Sequence, residues 1–391
     1  MKNIILLISS IYLTLVMIDI FLKNKFYDDY LKKHQIAEKQ NVEFDKRSLF
    51  EVVIDEKKKF QSSWPPYHIV EYAKYLKNNR KNILPLSGIS NSKLVYCNES
   101  GKWSILSTDR YGFPNPANTV YKDIDIVLLG DSFTRGACVD ENQTLRYFLN
   151  NSLSTISLGN GGSFYSYYAT FKEYVKIVKP KFTIINVYEG NDFIDLDEES
   201  KTYLKNYILE RNFSQNLINK QTKIDDEISE YFNLWLDSKI KIYQNIETNE
   251  EILSKFDIYI KSLKLSSIIN LIMITYSDLN YFFSDIPQKE DLRKILISIK
   301  EDVKKWNGEL IINYIPSYEK IVFKKRETYN YKNKFFKLCD EIGLNVIDFT
   351  NIIENEPEIN KIYPLGIKGH FTEYGYRLLS KYIIDEISKY N

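Results

Sequence analysis

Residues 124–136 read IDIVLLGDSFTRG, and this stretch decides the fold of the 391-residue chain. The run Ile124–Leu129 is short, mostly apolar and rich in β-branched residues, and Gly130 ends it, which is typical of a buried β-strand. Ser132 follows almost at once, where its hydroxyl can be exposed and its amide can point at a ligand. A Gly-Asp-Ser tripeptide is common by chance, but its place after an apolar strand makes Ser132 a candidate nucleophile.

The rest of the chain repeats this alternation of short strand and helix. Four more apolar runs predict strands at Thr155–Leu158, Phe182–Tyr188, Leu310–Ile315 and Leu344–Phe349. Helical patterns are found at Ser166–Val178, Asp291–Lys305, Lys320–Asp340 and Glu373–Lys389. Strands that alternate with helices predict an α/β fold, with a five-stranded parallel sheet covered by helices on both faces. Ligands of such sheets bind beyond the carboxyl ends of the strands.

Three polar segments are expected at that carboxyl edge. Gly159–Gly162 follows the second strand, and its glycines can bring backbone N–H groups close to a ligand, although they can equally form a simple turn. Asn191 follows the third strand, where its amide can donate to the same ligand or cap the next helix. The chain has three histidines, and His370, unlike His34 and His68, precedes the last helix and would reach this edge.

These elements occur in the order Ser, Gly, Asn, His, and the set resembles the SGNH hydrolase family, also called GDSL-like. The resemblance implies a flavodoxin-like three-layer sandwich with Ser132 as nucleophile and His370 as its base. It further implies an oxyanion hole formed by the amides of Ser132 and Gly162, with Gly161 as the second choice, and by the side chain of Asn191.

The resemblance covers residues 123–391 apart from an insertion, and the chain departs from the family pattern at one point. Family members usually carry an aspartate three residues before the histidine, where this chain has Ile367 followed by Lys368. Loss of such an orienting acid lowers kcat by about 10⁴ in a serine protease. Either a backbone carbonyl or another carboxylate orients His370, or the protein is weakly active or inactive. Asp348, at the end of the fifth strand, is the nearest predicted substitute.

The residues imply two-step acyl transfer, in which His370 takes the proton of Ser132 and Ser132 attacks an ester carbonyl. Water would then complete the hydrolysis of a carbohydrate or lipid ester. Transfer to a sugar hydroxyl would instead make the protein an O-acetyltransferase of an envelope polysaccharide. A third hypothesis is a non-catalytic binding protein that kept the fold, which the missing aspartate favours and the other four elements oppose. The mechanism needs no cofactor and no metal.

Composition argues against two other kinds of site. The chain has 53 basic and 52 acidic residues and no basic stripe interleaved with aromatics, so no nucleic-acid partner is expected. Its three cysteines, Cys97, Cys138 and Cys339, form no Cys-x-x-Cys motif or Cys/His cluster, so no zinc site is expected. Cys97 and Cys138 flank the first strand in loop-like segments, and they are expected to pair if the body lies outside the cytoplasm.

The beginning of the chain predicts a membrane anchor. Residues 3–22 read NIILLISSIYLTLVMIDIFL with Asp19 as the single charge, and a helix of that length reaches about 30 Å, the thickness of a bilayer core. The apolar run is long, and Lys23-Asn24-Lys25-Phe26 follows it instead of a small-residue cleavage site. An uncleaved anchor is therefore favoured over a signal peptide.

The orientation of this anchor is decided by weaker signals. Four lysines soon after the span favour a cytosolic body, but long domains cross membranes largely regardless of charge. The Lys-Pro-Lys run before the third strand and the Glu-Gly-Asn-Asp after it also resemble a membrane-attached bacterial subgroup of the family. We therefore expect a single-pass protein with a periplasmic or extracellular body.

The predicted organisation has three parts. Residues 1–25 form the anchor, residues 26–118 a stalk and N-terminal extension, and residues 119–391 the hydrolase domain. In the extension, the turn-like segment Asn98–Gly101 between two short apolar runs suggests a small hairpin. The third and fourth strands are separated by far more residues than a crossover needs, so residues 195–288 are predicted to be a helical insertion. This insertion could cover the site as a lid or be a simple structural elaboration.

Overall fold

The computed structural model describes residues 9–19, 29–79, 83–246, 265, 268, 285–323 and 331–390. The strands in these residues are β1 (Ser63–Trp64), β2 (Lys93–Asn98), β3 (Trp103–Ser107), β4 (Ile126–Leu129), β5 (Thr155–Ser157), β6 (Phe182–Tyr188), β7 (Glu309–Ile315) and β8 (Asn345–Asp348). Residues 9–19 are helical. The helices that follow are α1 (Asp29–Lys39), α2 (Leu49–Lys59), α3 (Ile69–Asn79), α4 (Ser132–Arg135), α5 (Leu145–Leu149), α6 (Phe164–Thr170), α7 (Asp192–Glu199), α8 (Asn206–Leu209), α9 (Gln221–Ile246), α10 (Lys289–Lys304), α11 (Tyr318–Phe323), α12 (Tyr331–Ile342), α13 (Thr350–Glu354) and α14 (Glu373–Ile387).

Five of the strands form one parallel sheet in the order β5–β4–β6–β7–β8. The first strand of this sheet along the chain, β4, therefore has neighbours on both sides, and the strand order reverses next to it. A reversal of this kind opens a crevice at the carboxyl end of the central strand. The predicted α/β fold with a five-stranded parallel sheet is confirmed.

Alternate residues of each strand pack into two apolar clusters, one on each face of the sheet. On one face, Val127 and Leu129 of β4 join buried side chains of α6, α10 and α12 and of the N-terminal extension. On the other face, Ile126 and Leu128 join side chains of α5, α11, α13 and α14. All four β4 residues are buried, as expected for a strand covered on both faces. The fold is thus a sandwich of three layers.

The N-terminal extension packs on this sandwich. Its strands β2 and β3 form the predicted antiparallel hairpin, and β1 pairs with β2. In the hairpin turn, the Asn98 side chain accepts a hydrogen bond from the N–H of Gly101 at 2.9 Å, which is the local reason for the turn. Val52 and Val53 of α2 and Tyr72 of α3 lie in the same apolar cluster as the sheet residues.

The helix predictions agree with the structure at most places. The predicted helix Lys320–Asp340 is described as two helices, α11 and α12, and residues 324–330 between them lie outside the described residues. Of the predicted insertion, α7, α8 and the long α9 are described, whereas almost all of the apolar stretch 259–283 lies outside the described residues. Helix α9 packs against the extension, where Phe232 stacks on Trp64 with ring centroids 5.7 Å apart.

The predicted membrane anchor is only partly described. Residues 9–19 are helical, and the other residues of the predicted span 3–22 lie outside the described residues. Within the part of the chain that the structure describes, no helix combines the length and the apolar character that a bilayer crossing requires.

A buried carboxylate joins the start of the insertion to the sandwich. Glu173, 3% exposed, lies in the π-helical turn Phe171–Val175 that continues α6. Its carboxylate accepts four hydrogen bonds of 2.6–2.9 Å, from the hydroxyls of Tyr207 and Ser214 and the backbone N–H groups of Gln215 and Leu217. A buried charge is tolerated when its hydrogen-bonding capacity is filled in this way.

Replacing Glu173 by alanine should therefore destabilise the protein strongly. Three buried donors and the exposed Ser214 hydroxyl would lose their acceptor, and we expect the free energy of unfolding to fall by about 3 kcal/mol. Glu210→Ala, at an exposed position nearby in the chain, is the matched control and should have little effect. Urea denaturation followed by circular dichroism measures both, and equal midpoints for the two variants would contradict the role given to Glu173.

Candidate active site

Ser132 is the first residue of α4, directly after the tight turn Gly130-Asp131 that follows β4. Gly130 in this turn has φ = +152°, and a Cβ there would collide with the Thr134 hydroxyl and lie 2.9 Å from the carbonyl oxygen of Asn186. Asp131 caps α4 by accepting the N–H of Phe133 at 3.0 Å. The N–H of Ser132 itself belongs to the first helical turn, where no helical acceptor exists, and none of the described residues accepts it.

The structure brings Ser132 and His370 together, as the sequence predicted. The Ser132 Oγ atom lies 2.8 Å from His370 Nε2. The imidazole packs against the ring of Phe133 with centroids 4.9 Å apart, which fixes its approach to the serine. Thr372 caps α14 by accepting the N–H of Gly375 at 3.3 Å, so capping is done by the threonine and leaves His370 free for Ser132.

The carboxylate that holds His370 is Glu99, in the turn of the β2–β3 hairpin. Glu99 Oε1 lies 3.2 Å from His370 Nδ1, and Oε2 accepts the backbone N–H of His370 at 2.6 Å. Lys33 of α1 also lies 3.6 Å from Oε1. Burial by itself would raise the pKa of Glu99, but the hydrogen bonds and charge of His370, together with Lys33, outweigh burial and lower the pKa below its ordinary 4.5.

The prediction that Asp348 would orient His370 is wrong. Asp348 forms a salt bridge of 2.7 Å with Lys332 and accepts the N–H of Thr350 at 3.0 Å. The physical reason is its strand: β8 is at the edge of the sheet, and β6 and β7 lie between β8 and β4, the strand that precedes Ser132. The carboxylate beside His370 comes instead from outside the parallel sheet.

Sequence reasoning missed Glu99 because a glutamate between Asn98 and Gly101 is typical of a solvated turn. One signal in the sequence could have identified it. Cys97 lies two residues before Glu99, and Cys138 lies six residues after Ser132. The expected pairing of these cysteines, which the structure contains as a disulfide with a Cα–Cα distance of 5.0 Å, places the hairpin turn beside the nucleophile.

In the glycine-rich loop, the assignment of the oxyanion-hole amide needs correction. The N–H of Gly162 already donates to the side chain of Asn160 at 3.2 Å, so it is not available to a ligand. Gly161, the second choice from the sequence, is half-buried, and none of the described residues accepts its N–H. Ser163 Oγ donates to the carbonyl of Asp192 at 2.5 Å and so holds this loop against the start of α7.

Asn191 has the geometry of a ligand donor and not of a helix cap. It is the residue before α7, but its side chain makes no capping hydrogen bond. Its Nδ2 atom donates to Asp195 Oδ2 at 2.6 Å. A primary amide has two N–H groups, so Asp195 fixes the side chain with one and leaves the other for a ligand. The alternative that Asn191 caps the helix is thereby removed.

Two buried carboxylates lie behind the serine. Asp131 Oδ2 is 3.3 Å from Ser132 Oγ, and burial raises the pKa of Asp131 to about 6. Burial and the neighbouring Asp131 raise the pKa of Asp192, whose carboxylate accepts the N–H of Tyr188 and the hydroxyl of Tyr167, each at 2.9 Å. The two bonds of Asp192 hold the start of α7, next to Asn191, against the end of β6 and against α6.

The other candidate bases and ligands lie elsewhere or are occupied. His34 packs edge-on against Phe44, with ring centroids 5.9 Å apart, and His68 is exposed. The sulfurs of Cys97 and Cys138 and a ring nitrogen of His370 lie within 4.8 Å of one another. Because the two sulfurs are bonded to each other, they offer no thiolate to a metal.

The two glycines should respond differently to alanine. A Cβ on Gly162 would collide with the Ser166 hydroxyl and the buried Glu199 carboxylate, whereas at Gly161 the nearest atom would be the Tyr67 carbonyl oxygen at 3.2 Å. We expect Gly162→Ala to lower the free energy of unfolding by about 2 kcal/mol or more, because overpacking a rigid site costs that much. Gly161→Ala should cost clearly less. Thermal unfolding measures the stability of both variants. A larger loss of stability in Gly161→Ala than in Gly162→Ala would contradict the different surroundings described for the two glycines.

Comparisons with known proteins give the following. No family model and no curated protein sequence matches the chain. Among solved structures, it is similar to an acetyl xylan esterase (TM-score 0.36, 11% identity, covering 68% of this chain and 100% of that one). It is also similar to a lipase/acylhydrolase from Enterococcus faecalis (TM-score 0.35, 13% identity, covering 68% of this chain and 95% of that one). A GDSL-like lipase from Bacteroides thetaiotaomicron is similar as well (TM-score 0.34, 13% identity, covering 70% of this chain and 93% of that one). Because these TM-scores lie below 0.5, the function is inferred from the geometry of the site itself.

Proposed function

We propose that the protein is a serine-dependent ester hydrolase of the SGNH type, with Ser132 as nucleophile, His370 as base and Glu99 as the acid that orients the base. The observation that supports this most strongly is the unbroken chain of contacts from Glu99 through Nδ1 and Nε2 of His370 to Ser132 Oγ. A serine hydroxyl bonded to an imidazole that is itself held by a carboxylate is the arrangement that activates serine for acyl transfer.

In the first step, His370 Nε2 removes the proton of Ser132 while Oγ attacks the ester carbonyl carbon. The carbonyl oxygen becomes an oxyanion, and we assign its stabilisation to the N–H of Ser132, the N–H of Gly161 and the free N–H of Asn191 Nδ2. Removing one such donor typically costs about 3–4 kcal/mol of transition-state stabilisation. The imidazolium then gives its proton to the leaving alcohol, and water releases the acyl group by the same steps.

The charges around the serine suit this sequence. Because the pKa of Glu99 is lowered, the carboxylate is ionised above pH 4.5 and can stabilise the imidazolium that forms on His370. Arg135 is buried and forms no ion pair within the described part of the chain. Its guanidinium lies beside Gly161, and its two terminal nitrogens would be 3.7 and 3.8 Å from a Cβ atom placed on that residue. A positive charge there favours the developing oxyanion.

The two alternatives from the sequence have unequal support. The non-catalytic reading depended on the missing aspartate, and Glu99 now fills that role, so the reading loses its main support. An O-acetyltransferase would use the same residues and differ only in the acceptor. Carbohydrate or lipid esters remain the proposed substrate classes. Product analysis with an added sugar acceptor distinguishes the two activities, because a transferase acetylates the acceptor and a hydrolase releases acetate.

Isosteric variants test the assignment of the acid. With p-nitrophenyl acetate, Ser132→Ala and His370→Ala should remove nearly all activity, and Glu99→Gln should lower kcat by about 10²–10⁴. Asp348→Asn is the matched control and should keep kcat close to wild type. Full activity in Ser132→Ala would refute the proposed function, and a large loss in Asp348→Asn with none in Glu99→Gln would return the role to Asp348.

We also propose that the protein is anchored by residues 3–22 with its body outside the cytoplasm. The length and apolar character of this segment support the anchor, and the Cys97–Cys138 disulfide supports an oxidising compartment, since such bonds are rare in the cytosol. Alkaline phosphatase fused after Asn391 should be active, and green fluorescent protein fused there should be dark. The opposite pair of results would place the body in the cytosol.

A further inference from the structure

The disulfide is part of the site as well as of the fold. Cys97 lies at the end of β2, two residues before Glu99, and Cys138 lies in the turn after α4. Cys138 Sγ is 3.6 Å from His370 Nδ1, the same ring nitrogen that contacts Glu99. The bond therefore lies against the Glu99–His370 pair and connects the element that carries the acid to the element that carries the nucleophile.

The tip of the hairpin has few other connections to the sandwich. Asn98 Nδ2 donates to the carbonyl of Asp45 at 2.9 Å, and the N–H of Asp45 donates to the carbonyl of Gly101 at 2.8 Å. Both bonds hold the tip to the N-terminal extension, not to the parallel sheet. Besides the contacts of Glu99 with His370, two interactions connect this part of the hairpin to the segment after Ser132. The Arg135 guanidinium lies over the Tyr96 ring at 5.6 Å, and the disulfide links Cys97, which is closer to Glu99 in the chain, covalently to Cys138.

The backbone at Cys138 supports the view that this link holds a constrained conformation. Cys138 has φ = +64°, in the left-handed region that residues other than Gly, Asn and Asp rarely adopt. Such a conformation is unfavourable and persists only where the surroundings impose it. The turn after α4 therefore has a reason to relax once the bond is opened.

We propose that the Cys97–Cys138 disulfide is a positioning element for Glu99, so that full esterase activity requires the oxidised protein. The inference rests on the proposed function. Reduction by a dithiol breaks the S–S bond; two electrons and two protons pass to the protein, giving two thiols, and the dithiol becomes a cyclic disulfide. Ser132 and His370 stay in place on the sandwich, but the hairpin tip loses its covalent link to the turn after α4, and Glu99 loses its fixed register with His370.

The experiment compares oxidised and dithiothreitol-reduced protein, each as wild type and as Glu99→Gln, with p-nitrophenyl acetate as substrate. Reduction should lower kcat of the wild type by about 10–100-fold, a part of the loss that removal of an orienting acid causes. It should lower kcat of Glu99→Gln by much less, because the interaction that reduction removes is already absent. Such non-additivity is the signature of two changes that act through one contact.

Thiol counting shows that the bond has been opened. Alkylation under denaturing conditions counts Cys339, the free cysteine, in both the oxidised and the reduced protein, so the two additional thiols of the reduced protein are those of Cys97 and Cys138. Cys339→Ala is the matched control and should respond to reduction like the wild type. A Cys97→Ser/Cys138→Ser variant should have the same kcat as the reduced wild type. If this variant does not fold, the kcat of the chemically reduced wild type tests the proposal.

Two outcomes would overturn the proposal. One is an unchanged kcat in wild type whose two extra thiols have been counted. The other is an equal loss in wild type and Glu99→Gln, which would show that reduction damages the fold in general. Both differ from a failure of the proposed function, in which Ser132→Ala would be as active as the wild type before any reduction.

Discussion

The contact between Glu99 and His370 is the constraint on which the rest of the site depends. A carboxylate in this buried position is unfavourable unless its oxygens are hydrogen-bonded, and His370 supplies two donors, one from the backbone and one from the ring. The same two bonds fix the orientation of the imidazole, so that Nε2 points at Ser132. This one interaction therefore compensates the desolvation of the Glu99 carboxylate and also orients the His370 imidazole.

This constraint explains why the N-terminal extension packs on the sandwich. Glu99 belongs to a hairpin that precedes the parallel sheet in the chain, whereas His370, 271 residues later, belongs to the loop before α14. The hairpin must therefore be held in a fixed position relative to that loop. The apolar cluster shared by the extension and the sheet provides the general attachment. The disulfide and the hydrogen bonds of Asn98 then set the finer position of the turn.

A second set of buried polar contacts arranges the oxyanion side of the site. The loop after β5 and the start of α7 are joined by Ser163 and Tyr167, both of which contact Asp192. Asp195 holds the side chain of Asn191. The second N–H of Asn191 Nδ2 and the backbone N–H of Gly161, which none of the described residues accepts, can therefore face the same ligand. Under the proposed function, these donors are fixed before a substrate binds, which is what makes electrostatic stabilisation of an oxyanion effective.

The sequence by itself determined the elements that are local in origin. Short apolar runs and their periodicity sufficed for the parallel sheet, because a strand buried on both faces needs a continuous apolar stretch, and residues placed directly after such strands meet at one edge. Ser132 and Asn191 were placed at this edge in this way, and His370 by its position before the last helix. Which glycine amide stays free was decided only by the folded loop, where Asn160 occupies the N–H of Gly162.

Only the tertiary structure decided which carboxylate completes the site. Asp348 was a reasonable prediction from its place at a strand end. In the sheet, however, two strands lie between the strand of Asp348 and β4, the strand that precedes Ser132. The order of strands in a sheet cannot be predicted from any single run of residues. Glu99 comes from a turn whose local sequence is typical of solvent exposure. It is largely shielded from solvent because of packing and a disulfide between segments that are distant in the chain, and such long-range contacts leave no periodic signal in the sequence.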